Sequence, residues 1–407
     1  QLHPDLHVFK PSPRTLFYAA RKGNCKLITD LVAQRATPVD CELADNPGVT
    51  PLATAAQYGQ AEAVRTLLGL KAALPSTSAT ATDSVSPCYK LLQSAIASQS
   101  SLTIRVLFDA LMEVEGALAA VFTSATNKEP SLLFQATTTN NISTMRVVMI
   151  YYDRFRRSQL EKGNVAALLQ HRLSYADLRF TSSTSRLPAS RDPAQKRVAC
   201  GQWSAVGESI LNRNLNAVRL LYGWCKGKLD LTSCFAADTG GQAGDKPDNT
   251  TSGDGHPTPS YTVSALQVAF SVKSSDITSF LLAHTDDVVE FVKASDSNNC
   301  LAQAVVCGDP LAAQVMLNSL LDAQDAAWDI GEDFEFPEPQ VQVVFDALLI
   351  ADFETVVLFF DLMEDLEIRR HPHTHDSVAL ACYSVHGRNP DDMLDAVTAA
   401  DKLVPVY

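Results

Sequence analysis

The chain has 407 residues and a formal net charge of −13, and 46% of its residues are hydrophobic. Residues 1–230 contain 26 Lys and Arg against 17 Asp and Glu, a balance of +9, whereas residues 231–407 contain 7 against 29, a balance of −22. The total charge argues against a nucleic-acid-binding protein, and the lack of a run of about 18 apolar residues argues against a membrane span. Because the charge is so unevenly divided, we expect the two halves to prefer different partners.

The clearest local pattern predicts a pair of short helices within residues 46–70. Pro51 fixes the backbone for the first turn of a helix, and Leu52 and Ala55 lie on one apolar face of it. Gly59 ends this helix, and a second amphipathic helix follows. Such a pair cannot bury its apolar face alone, so we expect it to stack on copies of itself.

Copies of this pattern are found on both sides, separated by a unit of about 33 residues plus insertions. The copy before it keeps the apolar residues and the glycine, whereas later copies lose the glycine first. The leading residues of the eight copies are Leu16, Leu52, Leu92, Leu133, Val206, Leu266, Leu301 and Val344. A ninth, weaker copy starts near Leu380. The sequence therefore predicts an all-α solenoid of stacked helix–turn–helix repeats.

The second copy contains a longer motif, G-x-T-P-L-x-x-A-A-x-x-G followed by V-x-x-L-L. Its residues are Gly48, Thr50, Pro51, Leu52, Ala55, Ala56, Gly59, Val64, Leu67 and Leu68. Residues 14–70 thereby resemble the ankyrin-repeat family. At the position after the leucine, where the family usually has a histidine, this chain has Ala53. Only this copy contains Thr-Pro. Beyond residue 70 the resemblance is degenerate, and a generic stack of helical hairpins is the alternative for the later copies.

We interpret the chain as a short lead-in followed by one long solenoid. Residues 1–13 contain three prolines and are predicted to be extended, and residues 14–407 are predicted to form about eight or nine degenerate ankyrin-like repeats. Long insertions are expected where the repeat pattern is interrupted by polar, proline-rich or glycine-rich sequence. These insertions are residues 73–88, 158–205, 232–262 and 325–340.

The second helix of the fourth repeat is predicted to be unusually long. It contains several arginines interleaved with aromatic residues, in the sequence MRVVMIYYDRFRRSQLEK. The arginines are Arg146, Arg154, Arg156 and Arg157. Two interpretations are open: a basic, aromatic surface, or half-buried tyrosines beside solvated arginines.

No motif in the sequence indicates catalysis. A nucleophile elbow, a phosphate-binding Walker loop, a His-Glu-x-x-His pair and a dinucleotide-binding glycine pattern are all missing. His371, His373 and His375 alternate with other residues, a spacing that in principle allows histidines to share a metal. We expect an exposed loop there instead. His284 stands alone near a helix end, where a cap is the expected role. We predict a protein that is not an enzyme and has no metal, cofactor or small-molecule substrate.

Nine cysteines are scattered along the chain, and none forms a Cys-x-x-Cys pair. An odd number without such pairing indicates small buried thiols in a reducing compartment and argues against a disulfide framework or a zinc site. We therefore expect an intracellular protein, either cytoplasmic or cytoskeletal.

The resemblance also implies where partners bind. Ankyrin repeats recognise other proteins with their turn tips and with the two residues before the glycine between the helices. The corresponding residues here are Arg21, Lys22, Asn46, Pro47, Val49, Gln57, Tyr58, Thr138 and Thr139. Ordinary solvated surface is the alternative for each of them.

The function expected from these features is that of a scaffold for protein–protein interactions. The alternative is a structural subunit embedded permanently in a large multiprotein assembly, for example a cytoskeletal one, which the degenerate repeats and long insertions favour. A third possibility is binding of nucleic acid or anionic lipid by the basic half, which predicts steep salt dependence. The net negative charge makes this third possibility the weakest.

Overall fold

A computed structural model gives the structure of the chain, which divides into two compact units, residues 1–181 and 182–407. The residues described are 12–34, 37–42, 49–74, 86–114, 116–123, 130–161, 180–182, 201–229, 231, 235–237, 262–285, 288 and 309–330. Three of the predicted copies have leading residues outside the described ranges; these residues are Leu301, Val344 and Leu380. The lead-in also lies outside them, apart from its last two residues.

Helix pairs joined by tight turns make up the described part of the first unit. The pairs are α1 (Pro13–Lys22) with α2 (Cys25–Ala33), α3 (Pro51–Gln57) with α4 (Ala61–Gly69), α5 (Pro87–Ala97) with α6 (Ser101–Met112), and α8 (Leu132–Thr138) with α9 (Ile142–Glu161). A short additional helix, α7 (Ala117–Thr123), precedes the fourth pair. A three-residue strand, β1 (Phe180–Ser182), lies at the boundary between the units.

The first helix of each pair begins at a hydroxyl side chain. The Thr50 hydroxyl accepts a hydrogen bond from the Ala53 amide at 3.2 Å, which satisfies one of the free donors of α3. Serines occupy the same place two residues before three other leading residues, and they cap their helices in the same way. They are Ser131, Ser204 and Ser264. The cap of the Thr-Pro motif is thus kept in repeats that have lost the proline.

The turn inside each described pair passes through one residue with a left-handed backbone. This residue is glycine in the first two pairs, Gly23 and Gly59, with φ of 71° and 68°. Later pairs have Gln99, Asn140, Arg213 and Lys273 there, with φ between 52° and 59°. At Gly59 the turn is closed by hydrogen bonds of 3.0 and 2.9 Å from consecutive amides to carbonyls of α3, the arrangement of a Schellman motif. The turn geometry therefore persists where the glycine is lost.

Stacking of like helices builds the core of the first unit. The first helices contact one another in the order α1, α3, α5, α8, and the second helices in the order α2, α4, α6, α9. The leading residues of the repeats within the described ranges are fully buried; they are Leu16, Leu52, Leu92, Leu133, Val206 and Leu266. This arrangement confirms the predicted ankyrin-like solenoid of stacked helix–turn–helix repeats, to which the structure adds short strands.

The second unit contains further pairs of the same kind. Its elements are β2 (Gly201–Trp203), α10 (Ala205–Leu211), α11 (Leu215–Trp224), β3 (Phe235–Ala237), β4 (Thr262–Val263), α12 (Ala265–Ser271), α13 (Ser275–Ala283) and α14 (Pro310–Asp329). Helix α10 stacks on α12, α11 contacts α13, and α13 packs against α14. The copies led by Val206 and Leu266 are thus stacked pairs.

Short strands precede the repeats of the second unit, and the sequence did not predict them. Strand β3 pairs antiparallel with β2, with Phe235 opposite Trp203, and with β4, with Phe235 opposite Val263. These strands fall within or at the edge of the predicted insertions 158–205 and 232–262. Segments of two or three residues are too short for an alternating pattern to show. Helices also extend into two other predicted insertions, since α5 begins at Pro87 and α14 ends at Asp329.

An aromatic cluster fills the space between α6, α7 and α9. The rings of Phe108 and Tyr151 are stacked with centroids 4.7 Å apart, and Phe122 of α7 meets the Tyr152 ring edge-on at 5.2 Å. Tyr151 and Tyr152 are buried, so both predicted placements of these tyrosines, exposed or half-buried, are wrong. Phe108 of α6 covers the Tyr151 ring, and Phe122 of α7, a helix that the repeat pattern did not predict, covers the Tyr152 ring.

The left-handed turn at Gly59 makes alanine costly there. A Cβ at this position lies 3.0 Å from the Ser100 Cβ, and the left-handed backbone costs a residue with a Cβ about 1–2 kcal/mol. We expect Gly59→Ala to lower the free energy of unfolding by at least about 1 kcal/mol, measured from the urea midpoint. Gly69→Ala is the matched control, because no atom lies within 4 Å of its Cβ and alanine favours the helix. Equal stability of the two variants contradicts the assignment of the turn.

The buried Tyr89 hydroxyl ties the third repeat to the fourth. It donates to the Pro130 carbonyl and accepts from the Gln135 side-chain amide at 2.7 Å. Tyr89→Phe leaves both of these groups without this partner, which costs about 1–3 kcal/mol for buried groups. We expect a matching drop in the free energy of unfolding by urea denaturation, whereas Tyr58→Phe, at an exposed ring, changes it by less than about 0.5 kcal/mol.

Candidate partner-binding surfaces

Two neighbouring repeats bring several predicted partner-binding residues together. Arg21 and Lys22 lie at the end of α1, Gln57 ends α3, and Tyr58 caps α3. The Arg21 guanidinium lies over the Tyr58 ring, 4.6 Å from its centroid. All four side chains are exposed, and the exposed fraction of Tyr58 is 44%. Because α1 stacks on α3, residues 36 or 37 positions apart in the sequence form one continuous patch.

Tyr18 extends this patch, and the sequence analysis did not single it out. It lies one helical turn before Arg21 on α1, and its side chain is 49% exposed. The sequence signal for Tyr18 is its position three residues before the predicted contact residue Arg21, because residues three apart on a helix are neighbours on its surface. We call Tyr18, Arg21, Lys22, Gln57 and Tyr58 the inner surface.

The other predicted partner-binding residues lie apart from the inner surface or outside the described ranges. Asn46 and Pro47 are outside the described residues, and Val49 is half-buried. Thr138 is exposed and Thr139 is half-buried, and each hydroxyl donates to a carbonyl of its own helix α8 at 2.8 Å. Since α5 lies between α3 and α8 in the stack, the threonines are not part of the same patch.

The arginines of α9 divide between two sides of the helix. Arg146, Arg154 and Arg157 are exposed, and their spacing places them on one face. Arg156 is half-buried and forms an ion pair with Asp153 at 3.9 Å on the other side. Three of the four arginines of the predicted basic surface therefore share one exposed face, and Arg156 does not.

A groove of about 280 Å³ runs between the outer helices α6 and α9. Asp109 of α6 accepts a hydrogen bond from the Tyr151 hydroxyl and lies 3.7 Å from Arg154 of α9. The Arg154 guanidinium is also 4.8 Å from the centre of the Tyr151 ring. These contacts fix the two helices to each other and occupy the Asp109 carboxylate.

The environment of Tyr151 changes its ionisation. Burial, with a further contribution from the hydrogen bond to Asp109, raises the pKa of Tyr151 to about 12. Burial disfavours the charged phenolate, and the Asp109 carboxylate repels it. The phenol therefore stays neutral and donates its hydrogen bond across the whole physiological range.

The described residues offer no constellation for metal or redox chemistry. Within these ranges no group of three or more His, Cys, Asp and Glu side chains is placed to hold a metal ion. Four cysteines fall in the described part of the chain, and none of the four is placed in a disulfide. Cys88 and Cys225 are buried as expected, whereas Cys25 and Cys41 are only half-buried because they lie at or beyond helix ends. Burial raises the pKa of the Cys41 and Cys88 thiols, so both favour the less reactive protonated form.

His284 caps α13, and its Nδ1 lies 2.9 Å from the Phe280 carbonyl, which confirms the role of a cap. Helices long and apolar enough to cross a membrane are not found in the described ranges. The alternating histidines 371, 373 and 375 lie outside the described residues.

Comparison with known proteins adds a likeness to solved structures. No protein-family profile matches the chain, and no curated protein matches it. Among solved structures, the chain is similar to the crystal structure of the human ASB11 ankyrin repeat domain. The sequence identity is 12% and the TM-score is 0.37, with 76% of this chain and 97% of that chain covered. The ankyrin-like interpretation therefore rests on the helix pairs, turns and stacking described above.

The raised pKa of Tyr151 predicts a measurable pH dependence. Between about pH 10 and 12 the unfolded chain loses the phenolic proton while the folded chain keeps it, so stability falls as the pH rises. We expect this fall to be steeper for the wild-type protein than for Tyr151→Phe, followed by urea denaturation at each pH. Absorbance at 295 nm should show a late-titrating phenol that Tyr151→Phe removes. An unchanged titration curve in the variant contradicts the buried hydrogen bond.

Proposed function

We propose that this chain is a non-catalytic scaffold that binds partner proteins through the inner surface. The observation that supports this most directly is the contact between Arg21 and Tyr58, which joins the predicted binding positions of two repeats. Arginine and tyrosine are the residue types most enriched among the side chains that dominate binding energy at protein interfaces. A patch that combines them on stacked helices is well suited to recognition.

The inner surface is also ordered before any partner arrives. A guanidinium held over an aromatic ring is attracted by the ring, a contact that contributes about 0.5–1 kcal/mol at exposed sites. Because Arg21 already has this position, less side-chain entropy is lost on binding. Two exposed tyrosines add apolar contact area with few rotatable bonds. Arg21 and Lys22 give the patch positive charge, so the expected partner presents Asp or Glu side chains.

The second candidate is a structural subunit within a large multiprotein assembly. Large apolar side chains exposed on the outer helices of the third and fourth repeats favour it, because grouped exposed apolar residues rimmed by polar ones mark interaction surfaces. We infer an intracellular setting for either role, cytoplasmic or cytoskeletal, from the scattered cysteines of the sequence, which form no Cys-x-x-Cys pair.

The test is affinity purification of the full chain from native lysate, with quantitative mass spectrometry of the recovered proteins. Tyr58→Ala and Arg21→Glu should each reduce the recovery of specific partners by at least about tenfold, as expected for dominant contact residues. Arg65→Ala is the control, because Arg65 is exposed on α4, where it pairs with Glu62. A partner set unchanged by both variants overturns the proposal. Recovery that resists high salt and both variants favours the embedded subunit.

A further inference from the structure

The outer helices of the first unit change character along the stack. Helices α2 and α4 expose charged or small polar side chains, such as Lys26, Asp30 and Arg65. Helices α6 and α9 instead expose large apolar residues. Leu102, Met112 and Ile150 are each 47% exposed. Since all four helices occupy equivalent places in the solenoid, the solenoid fold alone does not account for the difference.

The apolar residues alternate with charge on each helix. Leu102, Arg105, Asp109 and Met112 follow one another at helical spacing and share one side of α6. Ile150 lies between Arg146 and Arg154 on the exposed side of α9. The groove between the helices has Arg105, Ile150 and Arg154 in its wall. We call Leu102, Arg105, Met112, Ile150 and Arg154 the outer face.

The charge of the outer face is positive. Asp109 and Glu113 are the acidic residues exposed on this side of α6, and the Asp109 carboxylate is already engaged by the Tyr151 hydroxyl and Arg154. Arg105 makes no ion pair within the described part of the chain, and Arg146 and Arg157 add charge on the same side of α9. An occupant with acidic side chains is therefore favoured electrostatically over a basic or neutral one.

We propose that the outer face is a second docking site, for an amphipathic helix of a partner protein. The apolar side of that helix covers Leu102, Ile150 and Met112, and its flanking Asp and Glu side chains pair with Arg105 and Arg154. A groove between two packed helices suits the ridge of a third helix. No strand edge is present on α6 or α9 for an extended peptide to join. The site is separate from the inner surface and does not depend on it.

The test uses the purified full chain and a designed, fluorescently labelled peptide probe. The probe is an amphipathic helix of about 18 residues with Leu at positions i, i+3, i+4 and i+7 and Glu on its flanks. One control peptide replaces each Glu by Lys, and a second is a scrambled sequence of the same composition. Fluorescence anisotropy should show binding of the Glu peptide that weakens as salt rises, with affinity at least about tenfold above both controls.

Variants of the chain locate the site. Ile150→Asp and Arg105→Glu should each weaken binding of the Glu peptide at least about tenfold, because one places a charge in the apolar contact and the other reverses a pairing charge. Lys26→Glu makes the same charge change on α2, which is separated from α6 by α4 in the stack, and should leave affinity unchanged. Thermal unfolding by circular dichroism confirms that the variants are folded, as expected for exposed positions.

Three outcomes overturn the proposal. The first is equal binding of the Glu and Lys peptides, which removes charge recognition. The second is unchanged affinity in folded Ile150→Asp and Arg105→Glu, which places binding elsewhere. The third is concentration-dependent self-association by analytical ultracentrifugation that Ile150→Asp abolishes, since the outer face is then covered by a second copy of the chain.

Discussion

The solenoid depends on one residue per repeat that reverses the chain in the left-handed conformation. This residue brings the second helix back along the first, so that both present their apolar sides to the next pair. For a residue with a Cβ the conformation costs about 1–2 kcal/mol. Burying one leucine stabilises the fold by about 1.5–3 kcal/mol, and each pair buries several apolar residues. The turn is therefore maintained by stacking even at Gln99 and Lys273, where glycine is absent.

The same balance explains how the repeats diverge without losing the fold. What each position must supply is a physical property: a left-handed turn, a hydroxyl cap, or a buried apolar side chain. Serine replaces Thr50 in three later repeats and still caps the helix, and valine replaces leucine at position 206 and is still fully buried. Sequence identity falls quickly under such a constraint, whereas the backbone geometry changes little.

The sequence predicted those parts of the fold that local patterns determine. Leading apolar residues at helical spacing identified six described repeats, and Gly59 marked its turn, because both signals lie within one repeat. A left-handed Gln99 or Arg213 has no local signature, since only the stack imposes that backbone. Helix α7 was missed because it interrupts the repeat without resembling it, and Phe122 of this helix is the residue that meets the buried Tyr152 ring.

The candidate site shows the same division between local and long-range information. The positions of Arg21 and Tyr58 followed from the resemblance, but their contact requires that the first two repeats stack in register. The groove at Ile150 was not predicted. The periodicity of α9 shows that the helix has an apolar side, but it does not show that α6 leaves part of that side exposed. Only the arrangement of two outer helices reveals this.

The two proposed surfaces lie on different layers of the first unit. The inner surface is built at the ends of the first helices α1 and α3, whereas the outer face is built on the second helices α6 and α9. A partner bound to one layer therefore leaves the other layer accessible. If one assembly contacts both, binding at the first raises the effective concentration at the second without any change in structure. Weak contacts at each surface are then sufficient for a stable complex, which makes a scaffold and an embedded subunit two extremes of one mode of binding.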